Sequence, residues 1–309
     1  MDISIPERIP LGTSGLRVSP LGMGTNAWGF SRRADPEKQP TLAAAVETGV
    51  NFIDTAEIYT LGGSEKTLGL LLPKYRQEVI LATKFFPFPW RIRKSSLAAA
   101  LRRSLERLGL PSVDLYILHF PVPPVPLETW VRALADVQQA GLTRAVGISN
   151  CSAGQTRRAH ALLAKRGIPL ASNQVEYSLL HRAPERNGLL ETCRELGVSL
   201  VAYRPLGYGL LTGKYKPEDL PAILHGRRIT PADLQRVQPL VDLLGGLAKS
   251  HGKTAAQVAL NWIVCKGALP IPGAKNPRQA AENAAALGWR LDAGEVEALD
   301  RASEAFTPL

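Results

Sequence analysis

Four side chains suited to proton transfer lie in the first half of the sequence, each shortly after a short apolar segment. Asp54 and Tyr59 follow NFI, Lys84 follows VILAT, and His119 follows DLYIL. Tyrosine is a weak acid with a pKa near ~10 unless its phenolate is stabilised. A neighbouring ammonium would lower that pKa, and a carboxylate would keep the ammonium charged and oriented. The set predicts proton delivery to an oxygen that gains negative charge, as happens when hydride reduces a carbonyl.

Each of these residues also has an ordinary structural explanation when it is taken alone. Asp54 could cap a helix, Lys84 could end a strand, and His119 could be a hydrogen-bonded rim residue that takes no part in chemistry. Their occurrence at the ends of consecutive predicted strands favours a shared role, because together they form a complete proton-delivery set. We therefore interpret the four residues as one candidate catalytic group.

Such a group needs a scaffold that brings several strand ends to one place. Short β-branched or apolar segments alternate with longer segments of helical periodicity, which is typical of βα units and a parallel sheet. The pattern predicts an α/β fold, a (β/α)8 TIM barrel in one catalytic domain spanning 1–309, with extra helices and an N-terminal β-hairpin plug that turns at Ser14 and Gly15. The eight strands are predicted at about 20–24, 51–53, 78–83, 113–118, 143–148, 170–174, 198–202 and 268–271.

Two connecting segments carry further expectations. The third helix is predicted to begin with a cap at Ser95 or Ser96, to place leucines 97, 101, 105 and 108 on one face, and to end before Gly109. The long connection 203–267 contains GYGLLTGKYKPEDLPAILHG, which is predicted to be a functional loop preceding helices.

In such a barrel the active site lies at the carboxyl ends of the strands. Polar residues also follow the fifth, sixth and seventh predicted strands, namely Ser149 and Asn150, Gln174, and Tyr203. We therefore expect these residues to meet the four proton-transfer side chains at one mouth of the barrel.

Seven segments resemble the aldo-keto reductase family in order along the chain, namely NFIDTAEIY, LATK, LYILH, GISN, NQVEY, AYRPLGYGLLTGKY and IPGAKNPRQAAEN. The resemblance implies that Asp54, Tyr59, Lys84 and His119 are the catalytic tetrad, with Tyr59 as general acid. It also implies a cofactor, NADP(H), and a small-molecule carbonyl substrate. The implied reaction is the reversible, NADPH-dependent reduction of aldehydes or ketones to alcohols.

The same resemblance implies a nicotinamide site at the mouth. Ser149, Asn150 and Gln174 would hold the carboxamide, and Tyr203 would stack on the ring. The residues implied beside the nicotinamide and its ribose are Asp54, Gly24, Thr25 and Asn26.

The adenosine end is expected where the last predicted strand gives way to a helix, because helix N-terminal amides and the helix dipole suit phosphate. Lys275 is the predicted partner of the 2'-phosphate. Many relatives have an arginine where Gln279 stands, so the resemblance favours NADPH over NADH less strongly than it would with that arginine. The residues that the resemblance adds to this site are Gly273, Gln279, Glu282 and Asn283; the alternative is that Gln279 and Glu282 are solvated helix residues.

One position departs from the family pattern. Many relatives place a serine after the stacking tyrosine, whereas this chain has Arg204. We hypothesise that the forked guanidinium clamps the pyrophosphate; the alternative is a surface ion pair. The loop residues expected to fold over the pyrophosphate are Leu206, Gly207, Leu211 and Lys214.

Seven of the twelve Phe and Trp residues lie in three segments that follow the first, third and fourth predicted strands. Such a concentration predicts a pocket for apolar or aromatic carbonyl compounds; the alternative is a hydrophobic rim packed against its own loops. The short segment after the last predicted helix predicts an open pocket with broad specificity. The pocket residues are predicted to be Trp28, Phe30, Phe85, Phe86, Phe88, Trp90 and Phe120.

Composition bears on the function classes that the chain can have. The formal charge is +10, but basic pairs such as Arg32-Arg33 and Arg227-Arg228 are scattered, which favours a solvated surface over a nucleic-acid or membrane partner. Three widely spaced cysteines predict neither a disulfide framework nor a metal site. The absence of an apolar leader in MDISIPERIP and of long apolar segments predicts a cytoplasmic protein. A homo-oligomer is left open.

Two other readings compete with an enzyme. The IPGxxxPxQxxEN pattern and GLLTGKY also resemble the β subunits of voltage-gated potassium channels, which would make the chain a nicotinamide-binding, redox-sensing accessory subunit with weak turnover. A nucleic-acid binder would depend on net charge alone and would show salt-dependent retention on DNA. Cys151 could make cofactor binding redox-sensitive, although free cysteines are usually inert packing residues.

Overall fold

The computed structural model describes residues 6–30, 32–216, 229–304 and 306. Eight of its strands, β3 to β10, form one parallel sheet in chain order, and two short strands pair as a hairpin before it. The strands are β1 (Ile9–Pro10), β2 (Arg17–Val18), β3 (Met23–Gly24), β4 (Phe52–Asp54), β5 (Ile80–Phe85), β6 (Val113–Leu118), β7 (Thr143–Ser149), β8 (Leu170–Glu176), β9 (Ser199–Tyr203) and β10 (Leu269–Pro270).

Helices alternate with the strands and cover the outside of the sheet. Short 3-10 turns occur at Pro36–Lys38, Tyr59–Gly62, Leu72–Lys74 and Gly207–Thr212. The helices of the described residues are α1 (Gln39–Glu47), α2 (Gly63–Leu71), α3 (Ser95–Leu108), α4 (Leu127–Gln139), α5 (Ala153–Ala164), α6 (Ala183–Arg186), α7 (Leu189–Glu195), α8 (Pro231–His251), α9 (Ala255–Cys265), α10 (Pro277–Ala284) and α11 (Ala293–Ser303). No helix in these ranges is long and apolar enough to cross a membrane.

The first and last strands of the sheet meet and close it into a barrel. Gly22 donates its backbone N–H to the carbonyl of Pro270 at 2.9 Å, and Gly24 donates to Pro272 at 3.0 Å. A parallel bridge joins Gly24 to Gly273. Closure removes both sheet edges, so the predicted (β/α)8 barrel is confirmed.

The N-terminal hairpin fills one end of the barrel. Leu11, Leu16 and Val18 are buried in a cluster with inward-facing strand residues such as Phe52. The backbone N–H of Gly12 donates to Ser199 Oγ at the start of β9. The predicted plug is confirmed, and it lies at the amino-terminal end of the barrel, opposite the carboxyl ends where a catalytic mouth forms.

The eight strands lie close to their predicted positions, whereas the predicted cap of α3 is wrong. Ser95 is already the first helical residue, and the preceding Lys94 gives no side-chain cap. The amides of Ser96 and Leu97 donate to the carbonyls of Arg93 and Lys94 instead, so no side-chain oxygen is needed there. The helix does end before Gly109, which has a φ of 66°.

Of the predicted loop 207–226, residues 217–226 lie outside the described residues, as do Arg227 and Arg228.

Close packing of α2 on α3 gives a stability prediction. A Cβ added at Gly69 would lie 2.4 Å from the backbone oxygen of Arg107, which cannot move aside easily, whereas a Cβ at Gly245 in α8 would meet nothing within 4 Å. Gly69→Ala should lower the free energy of unfolding by about 2 kcal/mol through overpacking. Gly245→Ala, the matched helical control, should raise it by roughly 0.5 to 1 kcal/mol. Urea unfolding of both variants checks this, and equal effects would contradict it.

Candidate active site

The centre of the site is the fully buried ammonium of Lys84. Its Nζ lies 2.5 Å from Asp54 Oδ2, 2.8 Å from the backbone oxygen of Thr55 and 3.1 Å from Tyr59 Oη. An ammonium has three N–H donors, and each of them has an acceptor here. The amine, the carboxylate and the phenol that were predicted from the sequence therefore meet at one point.

Local backbone geometry explains how these groups come together. Asp54 ends β4 and is paired with Ala82, so Lys84 near the end of β5 extends past it at the carboxyl ends of the strands. Tyr59 opens a 3-10 turn in which Thr60 and Leu61 have φ values of 48° and 55°. The centroid of the Tyr59 ring lies 4.7 Å from the lysine Nζ.

The pKa of Tyr59 is shifted in the direction opposite to the one expected from the sequence. Burial raises the pKa of Tyr59, and although the Lys84 ammonium lowers it in part, burial outweighs that contribution. Burial works against the charge on Lys84, but attraction to Asp54 and Tyr59 outweighs it and raises the pKa of the ammonium. The phenol is therefore protonated at neutral pH, and the expected net lowering of its pKa is not what this structure shows. A protonated phenol is the form that a general acid requires.

His119 completes the group from the end of β6. Its ring meets the Tyr59 ring edge-on at 5.9 Å between centroids. Burial, followed by repulsion from Lys84, lowers its pKa to about 3. Its Nδ1 is buried without a hydrogen-bond partner among the described residues. The imidazole is therefore neutral near pH 7 and can donate one hydrogen bond without carrying a charge.

A chain of hydrogen bonds continues from the tetrad around the mouth. Gln174 Nε2 donates to Asp54 Oδ1 at 2.8 Å, and Ser149 Oγ donates to the backbone carbonyl of Gln174 at 2.7 Å. Asn150 Nδ2 donates to Ser149 Oγ at 3.0 Å, and Tyr203 Oη donates to Asn150 Oδ1 at 2.9 Å. The four residues predicted around the nicotinamide are thus joined to each other and to the Asp54 carboxylate.

The predicted residues at the end of the first barrel strand and just after it lie beside the Asp54 backbone or at the mouth. Thr25 is buried, and its Oγ1 donates to the Asp54 carbonyl at 2.9 Å. Gly24 is bridged to Gly273, while Asn26 is exposed at the mouth. The first strand therefore places its residues between the tetrad and the segment predicted to bind adenosine.

The segment before α10 is a capped turn with exposed amide and cationic groups. Asn276 caps the helix by accepting from the Gln279 amide, and Gln279 Oε1 accepts from the Lys275 amide at 2.9 Å. Asn283 Nδ2 donates to the Gly273 carbonyl at 3.2 Å. Gln279 and Asn283 thus hold the turn in place and leave the Lys275 side chain exposed.

Other charged side chains lie around the turn before α10. Glu282 is exposed and lies 3.6 Å from Arg278, which matches the alternative that it is a solvated helix residue. Arg278 was not singled out from the sequence, yet it adds an exposed cation to the first turn of α10. Lys38, in the 3-10 turn that precedes α1, donates from its side chain to the Lys275 backbone carbonyl. The turn is therefore cationic, as a phosphate site requires.

Arg204 is held by an ion pair in this structure. Its Nη1 lies 3.1 Å from Glu176 Oε2, and its guanidinium lies 4.6 Å from the Tyr208 ring centroid. The pairing follows from register, because Glu176 is the β8 partner of Tyr203. This is the surface ion pair that was the alternative to a clamp. Lys214 is exposed nearby, and the other predicted loop residues are partly or fully buried, namely Leu206, Gly207 and Leu211.

Two residues predicted to line the pocket lie in the core instead. Phe85 is fully buried and packs 4.8 Å from the Trp130 ring, because side chains alternate along β5 and Lys84 takes the inward position. Trp28 is also fully buried, and its indole N–H donates to the Ala274 carbonyl. Neither side chain can contact a substrate at the mouth in this structure.

The other predicted aromatic residues surround His119 or extend outward from it. Phe120 stacks on His119 at 5.1 Å and Phe86 meets it edge-on at 5.7 Å. Phe88 packs against Phe86, and Trp90 packs against Phe88. Phe30, which is 60% exposed, has no ring contact of this kind among the described pairs.

Cys151 lies just beyond the nicotinamide residues but does not suit a redox switch. The thiol is buried, and burial raises its pKa to about 12. A thiol reacts as its thiolate, so Cys151 is expected to be inert. Among the described residues, no group of three or more His, Cys, Asp or Glu side chains could hold a metal ion.

Comparison with known proteins identifies the family of the chain. A model described as the aldo/keto reductase family matches residues 20–304. The chain belongs to the aldo/keto reductase family. It is 39% identical to the chloroplastic pyridoxal reductase of Arabidopsis thaliana over 320 residues, covering 96% of this chain and 86% of the relative. As a member of this family it is an oxidoreductase, and family membership supports carbonyl reduction in general.

Solved structures of aldo/keto reductases match the whole fold. The glycerol dehydrogenase of Gluconobacter oxydans superposes with a TM-score of 0.85 at 26% identity, covering 100% of this chain and 98% of that one. An aldo-keto reductase from Klebsiella pneumoniae in complex with NADPH gives a TM-score of 0.76 at 28% identity, with 98% of each chain covered. The fold predicted from the sequence is therefore found in other members of the family.

Sequence reasoning missed two features of this aldo/keto reductase site. The carbonyl of Thr55 accepts from Lys84, but a backbone acceptor leaves no signal in residue type. Glu57 pairs with Arg91, and the pair is largely buried. Glu57 lies inside the NFIDTAEIY segment, two residues before Tyr59, so its place in that motif was the available signal.

The lowered pKa of His119 predicts a pH-dependent stability. Above the ordinary pKa of 6.5 both folded and unfolded states hold a neutral imidazole, so its contribution is complete. Between 6.5 and about 3 the unfolded state binds a proton that the folded state excludes, so stability falls as the pH falls. Wild type should lose about 2 kcal/mol more than His119→Asn between pH 7 and pH 5, measured by urea unfolding. Equal losses in the two proteins would contradict the burial of a neutral imidazole.

Proposed function

We propose that the protein catalyses the reversible reduction of aldehydes and ketones to alcohols with NADPH, and that Tyr59 is the general acid. The observation that carries the proposal is the 3.1 Å contact between Tyr59 Oη and the buried ammonium of Lys84, which is itself paired with Asp54. A protonated phenol beside a fixed cation can release its proton to a substrate oxygen, because the resulting phenolate is stabilised.

The residues of the mouth fit NADPH. The turn before α10 offers the exposed cations Lys275 and Arg278 beside capped helix amides, which suits the 2'-phosphate. Ser149, Asn150 and Gln174 offer amide and hydroxyl groups next to Asp54, which suits the nicotinamide carboxamide. The NADPH complex of the Klebsiella pneumoniae relative supports this assignment. When bound, NADPH supplies the hydride.

The side chains of the protein then supply the proton to the substrate oxygen. As the carbonyl carbon accepts the hydride and its π bond opens, the oxygen gains negative charge. The Tyr59 O–H bond breaks and its proton forms the new O–H bond of the alcohol, which leaves a phenolate facing Lys84. Neutral His119 donates a hydrogen bond to the same oxygen, and Asp54 keeps Lys84 charged and oriented. Oxidation of an alcohol uses the same groups in reverse.

The proposal also covers the cellular compartment and the partners of the protein. Cys151, Cys193 and Cys265 are all free thiols. Disulfides are rare in reducing compartments. We therefore propose a cytoplasmic enzyme whose partners are small molecules, with no role for nucleic acid.

Replacing the general acid should separate chemistry from cofactor binding. Tyr59→Phe should lower kcat for an aromatic aldehyde by about a hundredfold or more, because only the proton donor is lost, while the Kd for NADPH stays within about twofold. Tyr116→Phe is the matched control, because the Tyr116 hydroxyl is buried without a hydrogen-bond partner among the described residues. Steady-state kinetics and NADPH fluorescence titration give the two measurements.

Two results would contradict the assignment. Full turnover by Tyr59→Phe would remove Tyr59 as the acid. Tight NADPH binding by the wild type without turnover of any aldehyde would instead favour a redox-sensing accessory subunit.

Arg204 remains a proposed contact of the cofactor pyrophosphate. Its side chain is 45% exposed and can exchange Glu176 for a phosphate without crossing the core. Arg204→Ser should raise the Kd for NADPH about tenfold through loss of a charge-assisted hydrogen bond. Arg157→Ser, which breaks an exposed ion pair with Glu195, should leave that Kd unchanged. An unchanged Kd in Arg204→Ser would limit Arg204 to its ion pair with Glu176.

A further inference from the structure

The segment that follows β5 presents two stacked rings to solvent. Phe88 and Trp90 lie parallel, with an interplanar angle of 6° and 4.6 Å between ring centroids. Trp90 is 73% exposed, the largest exposed fraction among the large hydrophobic side chains described as exposed. We call these two rings the outer platform.

The outer platform is connected ring by ring to the catalytic group. The Phe86 ring lies 4.7 Å from the Phe88 ring and 5.7 Å from the His119 imidazole. His119 in turn contacts the Tyr59 ring. A continuous series of ring contacts therefore leads from the candidate proton-transfer group to the solvent-facing indole.

An ion pair with little solvent exposure fixes the segment that carries the platform. Arg91 binds both carboxylate oxygens of Glu57, with 3.0 Å between Nη2 and Oε2, and the two side chains are 12% and 6% exposed. Arg91 Nη1 also donates to the Phe86 carbonyl at 2.7 Å, and the Phe86 amide donates to Glu57 Oε1 at 2.7 Å. The guanidinium lies 5.0 Å from the Phe88 ring centroid. Glu57 belongs to the turn that carries Tyr59, so the same pair links the platform to the general acid.

A rigid, flat, exposed indole is suited to stacking against another flat ring. Aromatic contacts are favourable beyond the area that they bury, and ordering a ring in advance reduces the entropy lost on binding. Phe86 and Phe120 contact His119 directly, whereas Phe88 and Trp90 lie further along the ring series. A second ring in line with the reacting one is what would extend a substrate from His119 toward the outer platform.

We propose that Phe88 and Trp90 form a second binding site for the far ring of extended, planar aromatic carbonyl substrates, and that Arg91 is a positioning residue for that site. The proposal rests on the proposed carbonyl reduction and adds the substrate class. Such substrates carry the reacting carbonyl on one ring and a second ring in line with it, as in 4-phenylbenzaldehyde.

The test compares 4-phenylbenzaldehyde with benzaldehyde. In Trp90→Ala the ratio of their kcat/KM values, long substrate over short, should fall about tenfold, mainly through KM of the long substrate. Ile92→Ala is the matched control, because Ile92 is 60% exposed and only two residues away but outside the ring series. An unchanged ratio in Trp90→Ala, or an equal fall in Ile92→Ala, overturns the proposal.

Arg91→Lys tests positioning, because lysine keeps the charge but cannot bind both carboxylate oxygens in a fork. We expect a lower ratio through KM, with kcat for benzaldehyde less affected. Equal losses for both aldehydes together with a lower melting temperature would show a structural role only and would overturn the positioning role.

A binding measurement separates failure of this proposal from failure of the proposed function. Calorimetry should show that the wild type binds 4-phenylbenzyl alcohol more tightly than benzyl alcohol, and that Trp90→Ala loses the difference. If neither aldehyde is reduced, the proposed function fails, and the calorimetry still decides whether the second site exists. If both aldehydes are reduced but no difference in binding is found, the second site is wrong and the proposed function stands. Binding of a second copy of the chain at Trp90, seen as a dimer that Trp90→Ala abolishes, would also overturn it.

Discussion

The fully buried ammonium of Lys84 is the constraint on which the site depends. A charge removed from water is strongly unfavourable unless opposite charge and hydrogen bonds compensate it. Asp54, the Thr55 carbonyl and Tyr59 provide that compensation, and Gln174 in turn holds Asp54. The ends of strands from opposite parts of the barrel therefore have to stay in register, because only then are the charge and the N–H groups of Lys84 compensated. The stability of the barrel mouth and its chemistry rest on the same contacts.

The sequence predicted the barrel and most of the mouth because both leave a local signal. Alternating strand and helix segments placed all eight strands, and motif positions placed Lys84 and Tyr59 in contact. The position of a residue along the chain did not show which way its side chain points. Phe85 was therefore expected at the mouth, whereas the alternation of side chains along β5 turns it into the core. The ion pair of Glu57 and Arg91 joins residues 34 apart in sequence, and no spacing rule predicts it. Burial of the Tyr59 hydroxyl, which sets the direction of its pKa shift, is likewise a property of tertiary structure.

The hydrogen bonds around the mouth connect the side chains proposed to bind the cofactor with those proposed to transfer the proton. Tyr203, Asn150 and Ser149 form a series of hydrogen bonds that ends on the backbone carbonyl of Gln174, and the side-chain amide of Gln174 donates to Asp54. Neutral His119 adds a donor without adding charge, because its pKa lies at about 3. A site built in this way responds as a unit, and single substitutions along the series are not expected to be additive.

The closure of the barrel between Gly24 and Gly273 has a consequence for biosynthesis. These residues lie near opposite ends of the chain, and both border the mouth. During translation the first strand emerges long before its partner, and it stays unpaired on that side until the last strand leaves the ribosome. Backbone pairing on this side of the first strand therefore has to wait for the segment that contains Gly273. A dinucleotide can meet a complete binding cleft only after that final strand has docked.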